Sequence, residues 1–276
     1  LSEFPSKPLL VFTGGDPLMR DDLIEIVAYA SQRGFRTAVA FSGTDKASKK
    51  KLEELKQAGV ARIAISIDGS TAEKHDGFRG VKGTFEMSMK IIENARDVGI
   101  PFQINTTVTR ENILDLPDIA KLCVKSGAVM WDVFFLVPTG RAKVELMPSP
   151  QQFEDVLCWL YDISRTVGLN VKSSAATHLR RIELMRDRGE MPEVGELYRK
   201  LRRSLADMPK GGSEKIVAGG YGRSMSDGIR RSFGVTDGRG MFFISHVGEV
   251  YPSGFLPIVA GNVRERSVVE IYHKSE

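Results

Sequence analysis

Five short polar sets stand at the ends of apolar runs: Thr13-Gly14-Gly15-Asp16, Ser42-Gly43-Thr44, Ser66-Ile67-Asp68-Gly69, Asn105-Thr106-Thr107 and Pro138-Thr139-Gly140-Arg141. Their residue types suit the holding of a small polar ligand. Two glycines let a backbone approach a ligand closely, and Asp16 adds a negative charge beside them. Pro17 removes a donor and biases Asp16 toward an extended conformation, so the turn is stiff. The same residues also make a plain tight turn, and this stretch alone leaves both readings open. Ser66 and Asp68 alternate with Ile65 and Ile67, which puts both polar side chains on one face of a strand; Asn105 and Thr107 repeat the pattern. Inward polar groups need partners, because a buried one left unpaired costs about 1–3 kcal/mol. A ribose diol, an amino-acid headgroup or the polar residues of a second strand all supply them. Arg79, in HDGFRGVKGTF, carries the fork that grips a carboxylate through two hydrogen bonds, and reads equally as an ordinary surface arginine.

Other chemistries find less support. His75, His178, His246 and His273 are scattered without ligand spacing, so no metal is assigned to them. Cys123 and Cys158 lie in helical stretches without a CxxC partner and read as small buried residues. An acid–base enzyme wants paired carboxylates or a histidine at the strand ends, and only Asp16 and Asp68 stand there.

The elements that position the polar sets alternate. Strand-like runs are Leu9–Thr13, Thr37–Phe41, Arg62–Ile67, Phe102–Val108 and Met130–Val137, with a weaker one at Asn170–Ser173. Helical stretches are Asp21–Gln32, Ala47–Ala58, Thr84–Val98, Ile113–Lys125 and Gln151–Val167. In the first helix Leu23, Ile26, Val27 and Ala30 form one buried stripe. Crossovers of this length imply a parallel sheet. A barrel gathers all its strand ends at one mouth, whereas an open sheet offers mainly its switch point, so five consecutive polar ends favour a barrel or partial barrel.

After Arg188 the alternation fails. Lys210 to Gly240 is glycine-rich, lacks the phosphate-loop pattern GxxxxGK[ST], and reads as a mobile loop or insertion. GMFFISHVGEVYPSGFL then resumes β character as a hairpin of Met241–His246 and Glu249–Tyr251, and a short helix near Val268–Tyr272 closes the chain. The division expected is a barrel over 1–188, a connecting segment over 189–240 and an extension over 241–276.

Composition narrows the class. The chain has 276 residues, 42% of them hydrophobic, enough for one large domain with a real core. Its 39 basic and 35 acidic residues, net +4, are too balanced to argue for nucleic acid. The basic stretch Arg180–Arg203 is interrupted by acids and reads as solvated helix faces. Two cysteines fit a reducing cytoplasm, and no apolar run approaches the roughly 18 residues that cross a bilayer.

In order and spacing, GGDP, SGT, SIDGSTAEKHDGFRG, NTTVT, FFLVPTGRA and GEVYPSGFL resemble the radical S-adenosylmethionine enzymes, in particular those with a C-terminal SPASM or twitch extension. The likeness runs from about Leu9 to Tyr272. It implies an α/β fold, a partial (β/α)6 TIM-like barrel lacking its first N-terminal element here, with a small C-terminal β-hairpin extension. S-adenosylmethionine is then expected across the strand ends. Gly14, Gly15, Asp16 and Pro17 match the family's GGEP motif, which meets the methionyl amine, with Asp16 in place of the more usual glutamate. Ser42 belongs to the next strand end. Ser66 and Asp68 match the positions that meet ribose and carboxylate; Asn105, Thr107 and Arg79 match further cofactor contacts, and Val137 sits where a strand end flanks the adenine.

The family's 4Fe–4S cluster binds through CxxxCxxC, a motif absent from this chain. Its ligands are expected N-terminal to Leu1, within about 60 residues upstream of Leu9, with none in the chain itself. Ser253 stands where many SPASM proteins have cysteine, so auxiliary clusters find no support. The activity implied is a 5′-deoxyadenosyl radical taking a hydrogen in the maturation of a peptide or cofactor precursor, as in pyrroloquinoline quinone synthesis. Tetrapyrrole processing, as in alternative haem biosynthesis, is the second enzymatic reading. A non-catalytic module that binds S-adenosylmethionine or a peptide is the third, supported by the missing CxxxCxxC. The partners implied are a peptide or small-molecule precursor and an electron donor such as ferredoxin or flavodoxin, in the cytoplasm, without nucleic acid or membrane.

Overall fold

The computed structural model describes residues 1–140, 142–167, 169–174, 176, 178–209 and 235–275. Strands and helices alternate as β1 (Leu10–Phe12), α1 (Leu23–Gln32), β2 (Thr37–Phe41), α2 (Lys49–Gln57), β3 (Arg62–Ser66), α3 (Ala72–Arg79), α4 (Thr84–Val98), β4 (Phe102–Val108), α5 (Leu116–Ser126), β5 (Met130–Phe135), α6 (Pro150–Thr166) and β6 (Val171–Ser174). Then come α7 (Leu179–Asp187), α8 (Glu196–Arg203), β7 (Phe243–Ile244), β8 (Glu249–Tyr251), β9 (Gly261–Asn262) and α9 (Val268–Lys274). The first six strands pair in parallel in the order β1-β2-β3-β4-β5-β6, a curled partial barrel. The weak run near residue 170 supplies the sixth strand.

One face of the sheet is dry and the other is not. On β4 the residues Phe102, Ile104, Thr106 and Val108 are buried, while Gln103, Asn105 and Thr107 between them are half-buried. The outward set meets the helices: Ile63, Ile65, Ile104, Trp131 and Val133 join Val27, Leu52, Ile92, Ile119 and Trp159 in one continuous core. Strands of a parallel sheet are normally covered on both faces and read as unbroken apolar runs. Here the alternation leaves a polar concave face.

Register carries that face across four strands. Ser66 pairs with Asn105, Asn105 with Asp132, and Asp132 with Lys172, all pointing inward. Asp132 is 3% exposed and accepts hydrogen bonds from Lys172 Nζ and Ser174 Oγ, both 3.1 Å.

Helix ends follow local chemistry. Ser149 and Gln152 close a capping box with Pro150 in the first turn of α6. The helix expected over 113–125 starts instead at Leu116, because Asn112 and Asp115 turn their side chains onto backbone groups of the preceding loop and of the β3 end. α3, within a stretch read only as a motif, is capped by the Thr71 side chain at its start and by left-handed Gly80 at its end. It packs so close to the β3 end that a Cβ on Gly69 would collide with the backbone of Lys74 and His75. The expected hairpin gains a third strand, β9, and the small sheet runs β7-β8-β9 antiparallel. Residues 210–234, most of the glycine-rich segment expected to be mobile, lie outside the described residues.

Candidate functional site

At the β1 end, Asp16 is extended, with φ −143° and ψ 113°, as Pro17 requires. Its Oδ1 accepts from Leu18 N at 3.0 Å and caps a short 3-10 turn; its Oδ2 accepts from Thr44 Oγ1 of the next strand end at 3.1 Å. Each oxygen keeps a lone pair, and the residue is half-buried. Gly14 has φ +135°, which L side chains rarely adopt, and a Cβ at Gly14 or Gly15 would meet nothing within 4 Å. The glycine at 14 therefore answers to backbone conformation. The space above both is free for a ligand.

The β3 and β4 ends are knitted together. Asp68 Oδ1 accepts from Thr107 N at 2.7 Å, and its Oδ2 meets Arg79 Nη2 at 2.6 Å, a contact of charge rather than an aligned hydrogen bond. The Asp68 N–H donates to His75 Nδ1 at 3.0 Å, and its carbonyl accepts from Asn112 Nδ2 at 3.0 Å. Asn112 Nδ2 also reaches the Thr107 carbonyl at 2.8 Å, and Thr106 Oγ1 donates to the Ile67 carbonyl at 2.6 Å. Burial pushes the Asp68 carboxyl above its usual range, while the Arg79 charge and the Thr107 N–H pull it back. Burial, with the Arg79 charge beside it, lowers His75 to about 4. His75 is therefore neutral at pH 7 and free to accept at Nδ1, with its proton on Nε2.

Asp68 is the predicted residue whose surroundings differ most from an open mouth: its side chain is 0% exposed, against 31% for Arg79. Ser42, Ser66, Asn105, Thr107 and Val137 are half-buried. Among the described residues, no side-chain hydrogen bond engages the hydroxyls of Ser42, Ser66 or Thr107. Asn105 Oδ1 accepts from Gln103 Nε2 at 2.7 Å, which leaves its amide donors for other partners. Reading by residue type missed Asn112, set His75 aside as no metal ligand, and named Thr44 only as part of its strand-end set. The i, i+4 spacing of His75 and Arg79 was the available signal, since residues so spaced share a helix face.

Comparison with known proteins now bears on this geometry. A family model described as the Radical SAM superfamily matches residues 2–123. An AdoMet-dependent heme synthase of Nitratidesulfovibrio vulgaris is 41% identical over 280 residues, covering 100% of this chain and 69% of that protein. The chain belongs to the radical SAM superfamily. An AdoMet-dependent heme synthase of Methanosarcina barkeri is 36% identical over 98% of this chain and 69% of its own length. A PqqA peptide cyclase of Rhodopseudomonas palustris is 32% identical over 52% of this chain and 39% of its own. The crystal structure of Streptococcus suis SuiB superposes with a TM-score of 0.64 at 15% identity, over 96% of this chain and 55% of SuiB, a likeness of fold.

Radical SAM enzymes use S-adenosylmethionine and a 4Fe–4S cluster, and the two fare differently here. The open space over Gly14 and Gly15 and the unengaged hydroxyls of the concave face fit a polar ligand such as S-adenosylmethionine. The cluster does not fit the described residues. They hold no group of three or more histidine, cysteine or acidic side chains placed to ligate a metal. Both cysteines are buried, and burial pushes Cys123 well above the usual thiol range and Cys158 to about 11, so neither is a thiolate at neutral pH. No helix among the described residues is long and apolar enough to cross a membrane.

Proposed function

We propose that this radical SAM enzyme processes the side chains of a tetrapyrrole, in the manner named for its AdoMet-dependent heme synthase relatives. The observation that carries the reading is coverage. The two heme synthases match 100% and 98% of the chain, through the small C-terminal sheet, whereas the PqqA peptide cyclase matches 52%. Maturation of a peptide rests on that half-length likeness and is the second reading. A twitch-like role for residues 241–276, a cytoplasmic setting and a ferredoxin- or flavodoxin-like electron donor belong to the same proposal.

S-adenosylmethionine would supply a 5′-deoxyadenosyl radical once one electron from the family's reduced 4Fe–4S cluster broke its C5′–S bond and released methionine, and that radical would take a hydrogen atom from the substrate. The chain's own residues orient it. The backbone of Gly14 and Gly15 lets the methionyl end lie close, and the spare lone pairs of Asp16 accept from its ammonium. Pro17 stiffens that turn. Ser42, Ser66, Asn105 and Thr107 offer hydrogen bonds along the concave face, with Asp68 behind them, and Arg79 grips the carboxylate. Val137 gives the adenine an apolar edge at the β5 end. With one face of the sheet sealed by helices, the ligand closes the other against water.

The test uses the whole protein, cluster-loaded and reduced under anaerobic conditions, with S-adenosylmethionine and Fe-coproporphyrin III, an iron tetrapyrrole bearing propionates. Mass spectrometry is expected to find carboxyl groups lost from the tetrapyrrole together with 5′-deoxyadenosine. Modification of a PqqA-type peptide and none of the tetrapyrrole would move the assignment to the second reading.

A further inference from the structure

We propose that Asp68 is a positioning residue: it holds the guanidinium of Arg79, and Arg79, not Asp68, meets the carboxylate of the cofactor. The inference rests on reading these strand ends as the S-adenosylmethionine site, and it divides the labour between two residues that the sequence places there together.

Exposure separates them. The Asp68 side chain is 0% exposed and that of Arg79 31%, so of the pair the guanidinium is the group open to a ligand at these strand ends. Both carboxylate oxygens are already engaged, Oδ1 by Thr107 N and Oδ2 by Arg79 Nη2. The backbone of Asp68 is pinned on both sides, its N–H by His75 and its carbonyl by Asn112. For the carboxylate to swing out to a ribose it would leave the Thr107 N–H and the Arg79 charge without their partner, and a buried group so abandoned is costly.

The arrangement also explains why a carboxylate sits in such a covered place. Arginine carries five donors in a rigid plane, so one edge held by a buried acid leaves another edge aimed outward. A side chain that long loses considerable rotamer freedom when it grips a ligand, and holding it beforehand removes that cost from the binding step. His75 serves the same end one turn earlier on α3. Neutral and buried at 1% exposure, it fixes the peptide of Asp68 without competing for its charge.

The test pairs two ligands with two variants, read by titration calorimetry on the whole protein. The ligands are S-adenosylmethionine and decarboxylated S-adenosylmethionine, which lacks only the carboxylate. Asp68→Asn keeps an acceptor for Thr107 and removes the charge. It is expected to weaken S-adenosylmethionine about tenfold and to leave the decarboxylated ligand unchanged, and the double variant with Arg79→Gln should bind no more weakly than Arg79→Gln alone. Equal losses for both ligands in Asp68→Asn would overturn the proposal, because Asp68 would then touch another part of the cofactor; so would no loss for either. If Arg79→Gln itself fails to discriminate the ligands, the carboxylate reading of the site falls first, a result distinct from the failure of Asp68 alone. Should Asp68→Asn not fold, arginine side-chain NMR of the ligand-free protein decides: restricted rotation of the Arg79 guanidinium supports a held side chain, and free rotation overturns it.

Discussion

Two aspartates close two strand ends of one sheet, and they have opposite fates. Asp16, after β1, is half-buried, caps a one-turn helix and keeps a lone pair on each oxygen. Asp68, after interior strand β3, is sealed, with its charge met by Arg79 and its backbone tied to α3 and to the loop after β4. The difference follows from what packs over each strand end. The residues beside Asp16 are two glycines with open space above them and a one-turn helix, whereas Asp68 is enclosed by the end of β4 and by α3 of its own crossover. The lesson is that matching a motif residue to a contact is safer at an open strand end than at one a helix covers, where a polar residue more often serves another residue.

The largest expected effect tests that contrast directly. Asp68→Ala leaves a half-buried guanidinium and the Thr107 N–H without their partner, and should lower stability by about 3 kcal/mol, roughly 6–12 °C in thermal melting. Asp16→Ala should cost only about 1 kcal/mol, the worth of an N-cap, while S-adenosylmethionine binding drops. Equal thermal losses in the two variants would break the comparison.

Acid provides a second lever. His75 is held near 4 in the folded chain against 6.5 for the free side chain, so the unfolded chain takes up the extra proton between those values. The stability it contributes is present above pH 6.5 and lost as pH falls toward 4, on the order of 2–3 kcal/mol. Asp68, raised by burial, works in the opposite direction above the ordinary carboxylate range, because there its folded form holds a proton that the unfolded chain has released. Melting curves of wild type and His75→Gln at pH 7, 5.5 and 4.5 isolate the histidine: the variant should lose less stability than wild type on acidification. Parallel curves would show that His75 does not govern the β3 end.

The smallest effect sharpens the account of the β1 end. Gly14→Ala forces a side chain into φ +135° without a steric clash, and should cost about 1–2 kcal/mol of strain. If its melting temperature is unchanged, the turn has relaxed, and the glycine is there for ligand approach alone.

The legible parts of the molecule were those governed by neighbours in sequence. The helix over Thr84–Val98 has the bounds its periodicity implies, and Asp16 has the extended backbone that Pro17 dictates. α3 was illegible because its eight residues include Gly77 and present no apolar stripe; caps at both ends and the packing of His75 hold it. The Asp68–Arg79 pair depends on that helix, so its burial could not be read from residue type. Strand β6, four residues long with lysine and two serines, gains its place by pairing with β5.

The half-dry sheet has a consequence for the protein in a cell. A concave face lined by the half-buried Ser66, Asn105 and Thr107 is a surface that folding leaves uncovered, so a ligand seated on it would add to the stability of the folded chain. By mass action, a ligand that fills this face at 100 times its Kd adds about 2.7 kcal/mol, and at 1,000 times about 4.1. With a ligand held on this face, the resistance of the chain to unfolding and proteolysis would rise with the concentration of that ligand.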